Sequence, residues 1–536
     1  MNSLYYGDNL EILRKHIETE SVDLIYLDPP FNSQRAYNVI FQDKTGKASS
    51  AQIQAFEDTW AWTNETQQVY EQIMLRTEAS AELKAMMQAF RSFMGNSDLM
   101  AYLTMMAIRL VELHRVLKPT GSLYLHCDPT ASHYLKLLLD QIFGISNFRN
   151  EIIWKRTSAH SSANKCGSIH DVILFYSRTD KCIWNDIYQK YDSSYLETFF
   201  DTVDEDGRHY KRSDLTGAGV SQGVSGQPWK GLDVTTRGRH WMYIPSTLDE
   251  LDKQGRIHWP KKKGGMPRLK QFPEDLPGVP LQDIWDDIRP IHNLAQERLG
   301  YPTQKPVALL ERILTTSSKQ SDVVLDPFCG CGTAIVAAEK LGRKWIGIDI
   351  THLAISLIKK RLNDHFPDSK FAVVGEPKSV DAAEMLFLDS PFQFESWAVS
   401  LLGGQPFKSK GGGDGGIDGL LYFQDFENKF HRAIIEVKGG KYQPKDIRAL
   451  KGVLEREEAP LGILIALQPP TKPMLAEAAA MGTWTLPGGS NFPIMQIVTI
   501  EQLFGGRLPK LPDTSTTLKK AKREYRESEK KPPKFL

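Results

Sequence analysis

Residues 323–349 read VVLDPFCGCGTAIVAAEKLGRKWIGID, and this stretch decides the fold. Apolar residues suited to a buried strand come first, a glycine-rich loop follows, and a second apolar strand closes the stretch. Between the loop and the second strand we predict a helix over residues 334–341, closed by Gly342, since glycine is common at helix C-termini. The second strand is expected over residues 345–348. Strand, helix and strand of these lengths predict a βαβ unit in a parallel sheet.

The glycine-rich loop has the composition of a nucleotide-cofactor site. Gly330 and Gly332 let the backbone approach a ligand where a side chain would clash. Asp349 follows about 20 residues later at the next strand end, where a carboxylate can bind ribose hydroxyls. A dinucleotide site would have a third glycine at Ile335, and its absence, with Asp-Pro-Phe at residues 326–328, favours S-adenosylmethionine over NAD. A tight turn with two convenient glycines is the structural alternative.

A second signal lies near the N-terminus, where residues 21–31 read SVDLIYLDPPF. Residues 24–27 are an apolar run typical of a buried strand. Asp28 comes directly after it, and Pro29 and Pro30 cannot continue the pairing of a central strand. The Asp28 carboxylate is therefore expected at a strand end.

The residue types of this motif suit a transfer to an amino group of a base. The exocyclic N6 of adenine is a poor nucleophile because its lone pair is delocalised into the ring. The Asp28 carboxylate and the Pro29 carbonyl could accept its two hydrogens and localise that lone pair, while Phe31 offers a face for the base. A base must leave the duplex to reach such a pocket, at a cost of about a few kcal/mol. An Asp-capped turn after a strand is the structural alternative.

With these motifs the chain resembles the β-group amino-methyltransferases that act on DNA, over roughly residues 1–375. In that group the target motif precedes the cofactor motif, as Asp28 precedes Gly330 here. Three further segments resemble parts of the family that flank the methionine end of the cofactor, contact its adenine and lie near the flipped base: Tyr301-Pro302-Thr303-Gln304-Lys305-Pro306, Gly7-Asp8-Asn9 and Trp154-Lys155.

The resemblance implies a Rossmann-like α/β methyltransferase domain with permuted motif order, and S-adenosyl-L-methionine as cofactor. It implies catalytic roles for Asp28, Pro29, Pro30 and Phe31. The residues implied in cofactor binding are Asp8, Thr303, Gln304, Lys305, Asp326, Phe328, Gly330, Gly332, Thr333 and Asp349.

The target base is expected to be adenine. In the family an aspartate in the position of Asp28 usually accompanies N6-adenine, and a serine accompanies N4-cytosine. No cysteine of this chain follows a proline, which excludes the Pro-Cys nucleophile of C5-cytosine methylation. N4-cytosine and RNA methylation remain the alternative readings.

Residues 184–293 change character, with glycine, proline, basic and aromatic residues interleaved, so long helices are not expected. The stretch occupies the position of the family's target-recognition region. Basic side chains there could contact phosphates, which gives affinity but not sequence choice. Those candidates are Arg237, Arg239, Lys261, Lys262, Lys263, Arg268 and Lys270, with Trp229 and Trp241 nearby.

A second active site is indicated in residues 411–440, GGGDGGIDGLLYFQDFENKFHRAIIEVKGG. Glu436 and Lys438 are two apart on a predicted strand, so they share one face. Asp418 precedes another strand, over residues 420–423, that could pair with it in a hairpin. Two carboxylates and a lysine so arranged can hold Mg²⁺ and activate water against a phosphodiester.

This second segment resembles the Mrr-type PD-(D/E)xK restriction endonucleases, a smaller α/β fold. By that resemblance Asp418 and Glu436 bind the metal and Lys438 orients the attacking water, while Glu395 loosely matches an accessory acidic position. The alternative is a DNA-binding module of the same fold that does not cut and serves a larger defence complex. Because no phosphate-binding G-x-x-x-x-G-K-[ST] loop occurs, we expect no ATP-driven cleavage from this chain.

The composition fits a globular protein of several domains, with 536 residues, 41% hydrophobic and 24% charged. The five cysteines form no disulfide or zinc pattern, and we see neither a signal peptide nor a run that could span a bilayer. We therefore expect a cytosolic protein that binds no membrane. The resemblance implies double-stranded DNA as a partner, and a homodimer and defence-system subunits stay open.

The predicted organisation has five parts along the chain. These are a catalytic half of the methyltransferase at 1–183 with a helical insertion over about 50–116, a target-recognition region at 184–293, a cofactor-binding half at 294–378, a nuclease-like domain at 379–506 and a disordered basic tail at 507–536.

Overall fold

The computed structural model describes residues 2–30, 36–42, 48–57, 61–75, 79–157, 164, 166–261, 265–291, 297, 304–407, 416–424, 430–486 and 489–512. The chain divides into two compact units, one made of residues 1–185 and 283–536 and the other of residues 186–282. Within these described ranges, no helix has the length and apolar character needed to cross a membrane.

The first 180 residues alternate strands with helices. Their elements are β1 (Asn2–Tyr6), α1 (Asn9–His16), β2 (Val22–Leu27), β3 (Ala36–Gln42), β4 (Ala48–Glu57), α2 (Asn64–Leu75), α3 (Ala81–Met94), α4 (Asp98–Val116), β5 (Leu117–Cys127), α5 (Ser132–Phe143), β6 (Phe148–Lys155) and β7 (His170–Ser177).

The predicted helical insertion begins later than expected. The segment Ala48–Glu57 is a strand that pairs antiparallel with β3, and the helices start at Asn64. The alternation of apolar and polar residues from Ala51 to Ala55, with a period of two, favours a strand and outweighs the helix-forming composition.

The unit of residues 186–282 contains short elements only, as its composition predicts. They are β8 (Tyr188–Gln189), α6 (Ser193–Phe199), β9 (Thr202–Val203), β10 (His209–Asp214), β11 (Thr216–Ala218), β12 (Arg239–Trp241), α7 (Pro245–Lys253), β13 (Ile257–His258), β14 (Arg268–Gln271) and β15 (Val279–Pro280). A four-stranded sheet of order β13-β14-β10-β9 organises the unit.

The α/β pattern resumes after this unit. Its elements are β16 (Ile284–Trp285), α8 (Val307–Ser317), β17 (Val323–Asp326), α9 (Thr333–Lys340), β18 (Lys344–Asp349), α10 (His352–His365) and β19 (Phe371–Val374). The predicted βαβ unit is thus present as β17, α9 and β18, within one residue of its predicted bounds.

One nine-stranded sheet has the order β16-β6-β7-β5-β2-β17-β18-β1-β19. It joins strands that precede residues 186–282 in the sequence to strands that follow them. Strands β5, β2, β17, β18, β1 and β19 run parallel to their neighbours in this order. Because β2, β17 and β18 are adjacent and parallel, their carboxyl ends lie at one edge of the sheet, where open α/β sheets bind ligands. Asp28, Asp326 and Asp349 all stand at this edge. The predicted Rossmann-like fold with permuted motif order is confirmed.

The last described elements form a smaller α/β domain. They are α11 (Val380–Asp389), α12 (Pro391–Leu401), β20 (Gln405–Pro406), β21 (Gly419–Gln424), β22 (Phe430–Lys438), α13 (Pro444–Arg456), β23 (Leu461–Ala466), α14 (Lys472–Ala479), β24 (Thr483–Thr485), β25 (Asn491–Pro493), β26 (Met495–Thr499) and α15 (Ile500–Phe504). Their five-stranded sheet has the order β20-β21-β22-β23-β26. Strands β21 and β22 pair antiparallel, as the sequence predicts. Most of the predicted basic tail, from residue 513 onward, lies outside the described residues.

Candidate functional site

A cavity of about 230 Å³ lies at the carboxyl edge of the large sheet. It brings together residues of the Asp-Pro-Pro motif, the glycine-rich loop and the strand end of β18. The predicted site residues that line it are Asp8, Asp28, Pro30, Lys305, Asp326, Phe328, Gly330, Thr333 and Asp349. Segments about 300 residues apart in sequence therefore line one cavity.

Asp349 is fixed by the loop that it faces. Its Oδ2 accepts a hydrogen bond from the Gly330 N–H at 2.9 Å, and its Oδ1 accepts from the N–H and the hydroxyl of Thr351 at 2.9 and 2.8 Å. Burial raises the pKa of Asp349, although these hydrogen bonds act in the opposite direction. The Asp349 carboxylate is thus held against the glycine-rich loop in one orientation.

Asp326 is the most deeply placed of the carboxyl groups at this edge, with 4% of the residue exposed. Its Oδ1 accepts from the Phe328 N–H at 3.1 Å. Burial raises its pKa well above the ordinary range, and the nearby charges of Asp28 and Asp349 add to the rise. A positively charged ligand would relieve this clustering of negative charge.

The two loop glycines serve different needs. Gly330 lines the cavity, as expected of a residue that lets a ligand approach. Gly332 has φ +75°, and a Cβ there would come within 2.7 Å of Ile358 Cγ1 on α10. Gly332 is therefore required for the close packing of α10 behind the loop.

Lys305 approaches Asp28 from the segment that precedes α8. Its Nζ lies 2.5 Å from Asp28 Oδ2, and the two side chains are 10% and 16% exposed. The neighbouring Gln304 donates to the backbone carbonyl of Glu297 at 2.5 Å. Phe31 and Thr303 lie outside the described residues.

Arg109 on α4 is a site residue that the motifs did not reveal. It lines the cavity and binds Asp8 Oδ2 at 2.7 Å and Asn9 Oδ1 at 2.5 Å. Asp8 also caps α1 by accepting a hydrogen bond from the Leu10 N–H, so its carboxylate contacts both Arg109 and the start of the helix. The sequence feature that could have indicated this role is that Arg109 is the one charged residue in the apolar run of residues 99–111.

In the C-terminal domain, Glu436 and Lys438 lie on β22, and Asp418 directly precedes the neighbouring strand β21. Asp418 Oδ2 accepts from the Val437 N–H at 2.6 Å, which ties the residue before β21 to β22. Lys438 Nζ lies 2.7 Å from Glu436 Oε1, and the Glu436 side chain is only 8% exposed. Burial lowers the pKa of Lys438, but Glu436 and Asp418 outweigh it, so the pKa is raised and the side chain is a cation.

Within the described part of the chain, no group of three or more His, Cys, Asp or Glu side chains is arranged to hold a metal ion. For the predicted metal site, the described residues Asp418 and Glu436 supply two carboxylates. Glu395 lies on α12, which packs against β22. Residues 408–415 of the glycine-rich turn lie outside the described residues.

In the unit of residues 186–282, several predicted DNA-contacting side chains have structural partners. Trp229 and Trp241 are 3% and 0% exposed and belong to the core of the unit. Lys270 pairs with Asp204 at 2.6 Å, and Arg268 pairs with Asp214 at 2.5 Å. Arg237 and Lys261 are exposed, and residues 262–264 lie outside the described residues.

Comparison with known proteins gives two family matches. Residues 22–360 match the DNA methylase family, and residues 389–492 match a restriction endonuclease family. Both resemblances drawn from the sequence are thereby confirmed.

Individual relatives match about two thirds of the chain. Over 362 residues the chain is 33% identical to the Type II methyltransferase M.EcaI of Enterobacter cloacae, covering 67% of this chain and 69% of that protein. Over 360 residues it is 27% identical to the Mod subunit of the Type III restriction-modification enzyme StyLTI of Salmonella typhimurium, covering 64% of this chain and 50% of that subunit. The solved structure of TTHA0409 of Thermus thermophilus, complexed with S-adenosyl-L-methionine, aligns with a TM-score of 0.34 at 16% identity, covering 70% of this chain and 99% of that one.

Proposed function

Because the chain belongs to the DNA methylase family, we propose that it methylates the exocyclic N6 of an adenine turned out of duplex DNA. The observation that carries this proposal is the shared cavity. Asp28, which directly follows β2, lines the same space as Gly330 and Asp349 of the cofactor motif.

The cavity suits the charge of S-adenosylmethionine. Its lining includes four carboxyl side chains, Asp8, Asp28, Asp326 and Asp349, against two cations, Arg109 and Lys305. When bound, the cofactor supplies an electrophilic methyl group carried on a sulfonium. Asp349 would accept hydrogen bonds from the ribose hydroxyls, and the acidic lining would favour the positive end of the molecule.

Asp28 and Pro29 would prepare the amino group for attack. The Asp28 carboxylate and the Pro29 carbonyl accept the two N6 hydrogens and so keep the nitrogen lone pair out of the ring. After transfer the nitrogen would carry one proton too many, which Asp28 would accept. Lys305 holds Oδ2 of Asp28 and leaves Oδ1 for the base.

By its position, which is that of the family's target-recognition region, the unit of residues 186–282 would choose the DNA site, while its phosphate contacts would supply affinity. Extruding a base costs about a few kcal/mol, which contacts to the DNA backbone must offset. Exposed Arg237 and Lys261 are the described candidates for such phosphate contacts.

For the C-terminal domain we propose Mg²⁺-dependent DNA cleavage, within restriction-modification or phage defence. Asp418 and Glu436 would hold the ion, since Mg²⁺ commonly takes one or two carboxylates and completes its shell with water and phosphate. The Lys438 ammonium, paired with Glu436, would orient the attacking water. Among the described residues of this domain, Asp418 and Glu436 are the two carboxylates proposed as ligands, and so small a set also favours the second candidate, a module that binds DNA without cutting and serves a larger defence complex.

Mass spectrometry of nucleosides from DNA methylated by the purified chain tests the first proposal. We expect N6-methyladenine in the wild type and none with Asp28→Ala. Asp128→Asn is the matched control, because Asp128 is also followed by proline after a strand of the sheet, yet it is absent from the cavity wall. N4-methylcytosine in place of N6-methyladenine would refute the adenine assignment, and a preference for RNA over duplex DNA in a substrate competition would refute DNA as the substrate. Unchanged transfer by Asp28→Ala would refute the catalytic role.

Cleavage assays on methylated and unmethylated plasmids with Mg²⁺ test the second proposal. Lys438→Ala should abolish cleavage and leave methylation intact, whereas Lys441→Ala, an exposed lysine three residues away, should retain both activities. If the wild type binds DNA but cuts neither plasmid at any Mg²⁺ concentration, the domain is the binding module of the second candidate.

A further inference from the structure

An exposed tryptophan in the unit of residues 186–282 is held in one position by its neighbours. Trp259 is 41% exposed, and its ring stacks on the ring of Trp229 with centroids 5.3 Å apart and planes at 25°. Its indole N–H donates to Asp252 Oδ1 at 2.7 Å. The Lys230 ammonium donates to the same carboxylate. A side chain with this much exposed apolar surface is therefore fixed from two directions.

Trp229, on which the Trp259 ring stacks, belongs to the core of the unit. It is 3% exposed and packs edge-to-face on the fully buried Trp241, with centroids 5.6 Å apart. A tight turn begins at Trp229 and is closed by two hydrogen bonds between Trp229 and Leu232. Lys230 has φ +45° in this turn, a strained conformation for a residue other than glycine. Strain of this kind is often found where a side chain must be held for a function.

The surface of Trp259 that remains exposed includes the outer face of its ring. The Lys230 ammonium lies 5.5 Å from the centre of the Trp229 ring and 5.6 Å from that of Trp259, and the ring centres are 5.3 Å apart. Three nearly equal distances place the ammonium beside the stack, because a charge over the outer face would lie much farther from Trp229. Since the inner face lies on Trp229 and the N–H is bonded to Asp252, the exposed surface is the outer face and the remaining edge.

The charges around this face suit a polyanion. The Lys230 ammonium neutralises Asp252 and is partly exposed. Lys261, two residues after Trp259, is exposed and begins a run of three lysines in the sequence. Cations that contact phosphates, beside an aromatic ring that can stack on any base, are the combination by which proteins bind single-stranded or opened nucleic acid. In an intact duplex the base faces are covered by their neighbours, so such a ring meets a base face only where the duplex opens.

We propose that Trp259 is a stacking platform for a DNA base whose face becomes exposed when the duplex opens, and that Trp229 and Asp252 position its ring. The inference rests on the proposed action on a flipped adenine, since turning a base out of the duplex exposes the faces of its neighbours. The stack offsets part of the cost of that opening. It also gives the unit the aromatic DNA contact that the buried Trp229 and Trp241 cannot make.

The test compares two labelled duplexes of one sequence, one intact and one with a single abasic site at its centre, which lacks a base but no phosphate. Fluorescence anisotropy on the full chain without Mg²⁺ gives both dissociation constants. Trp259→Leu should weaken binding of the abasic duplex by about tenfold, the size of one base–aromatic stack, and binding of the intact duplex far less. The slope of log affinity against log salt should not change, because the substitution removes no charge.

Trp184→Leu is the matched control. Trp184 is 47% exposed and its ring stacks on Phe175 with centroids 6.0 Å apart, but it lies outside the unit of residues 186–282. Its dissociation constants for both duplexes should equal those of the wild type. An equal loss of abasic-duplex binding in Trp184→Leu would overturn the proposal. Equal weakening of both duplexes by Trp259→Leu would also overturn it, because that result indicates a role in the fold of the unit.

Trp259→Phe retains a ring against Trp229 and keeps the test valid if the leucine variant does not fold. Stacking of a base quenches indole emission, so the abasic duplex should quench the wild type more than Trp259→Phe, and equal quenching would overturn the proposal. A wild type that binds neither duplex would refute the proposed action on DNA itself. A wild type that methylates adenine, with abasic-duplex binding unchanged in Trp259→Leu, would refute this inference alone.

Discussion

The ammonium of Lys305 lies 2.5 Å from Oδ2 of Asp28, across 277 residues of sequence. By resemblance Lys305 belongs to a segment that flanks the methionine end of the cofactor. The contact instead joins it to the carboxylate that we propose to act on the base. Because both side chains are largely buried, the ion pair holds the carboxylate in one orientation.

We predict that Lys305→Met lowers kcat for methyl transfer by about 10- to 100-fold, because a misplaced acceptor no longer aligns the amino group. The KM for the cofactor should change far less. Steady-state assays with radiolabelled cofactor measure both quantities, and Lys319→Met, an exposed lysine that follows α8, is the control. If the variant raised the KM for the cofactor and left kcat unchanged, Lys305 would have the cofactor-binding role that the resemblance implies.

Cofactor binding should release a proton from Asp326. Burial raises the pKa of this carboxyl, and the positive charge of the cofactor would favour its ionised form. Release of up to about one proton follows, so affinity should increase as the pH rises toward the raised pKa and level off above it. Calorimetry in two buffers with different ionisation enthalpies counts the protons, and Asp326→Asn should abolish the release. Proton uptake on binding would contradict the prediction.

In the protein without cofactor, the stability contributed by Asp326 should instead fall as the pH rises. A carboxyl whose pKa is raised on folding stabilises the fold below its ordinary pKa, and that contribution is lost as the pH rises through the raised value. Urea unfolding across this interval should show a smaller loss of stability in Asp326→Asn than in the wild type.

Local patterns were enough to predict the centre of the large sheet. Apolar runs that end in aspartate at residues 28, 326 and 349 mark three strand ends, and two of them flank a glycine loop and a helix. Because parallel strands end at the same edge, these patterns imply a shared site before any tertiary contact is known. The cavity lined by all three aspartates agrees with that expectation.

Residues whose roles depend on distant partners could not be predicted in this way. Arg109 reads as a helix residue until α4 is seen beside Asp8. Trp229 and Trp241 stand among basic residues in the sequence, yet they pack in the core of their unit, because large aromatic surfaces are buried wherever a small domain needs them. Periodicity does not distinguish such residues from a DNA-contacting surface.

Two lysines of the 186–282 unit should separate stability from DNA binding. Lys270 is 14% exposed and paired with Asp204, so Lys270→Ala should lower the free energy of unfolding by about 1–2 kcal/mol. Exposed Lys261 should contribute little to stability, but Lys261→Ala should weaken DNA binding and reduce the slope of log affinity against log salt by about one. Thermal unfolding and fluorescence anisotropy at several salt concentrations measure the two effects. If Lys270→Ala reduced the salt slope and Lys261→Ala left it unchanged, the roles assigned to the two lysines would be reversed.

Gly332 should tolerate no side chain, for two separable reasons. Its φ of +75° disfavours any other residue, and a Cβ would come within 2.7 Å of Ile358 Cγ1. We expect Gly332→Ala to lower the free energy of unfolding by about 2–4 kcal/mol, the sum of backbone strain and overpacking. Urea unfolding gives the value.

Gly342→Ala isolates the backbone part of this loss. Gly342 has φ +70°, but a Cβ there meets its nearest neighbour, Gln320 Nε2, at an ordinary 3.5 Å. Its replacement should cost about 1 kcal/mol, and the difference between the two variants measures the clash with α10. Equal losses would mean that Ile358 moves aside, and Gly332 would then be required for its backbone conformation alone.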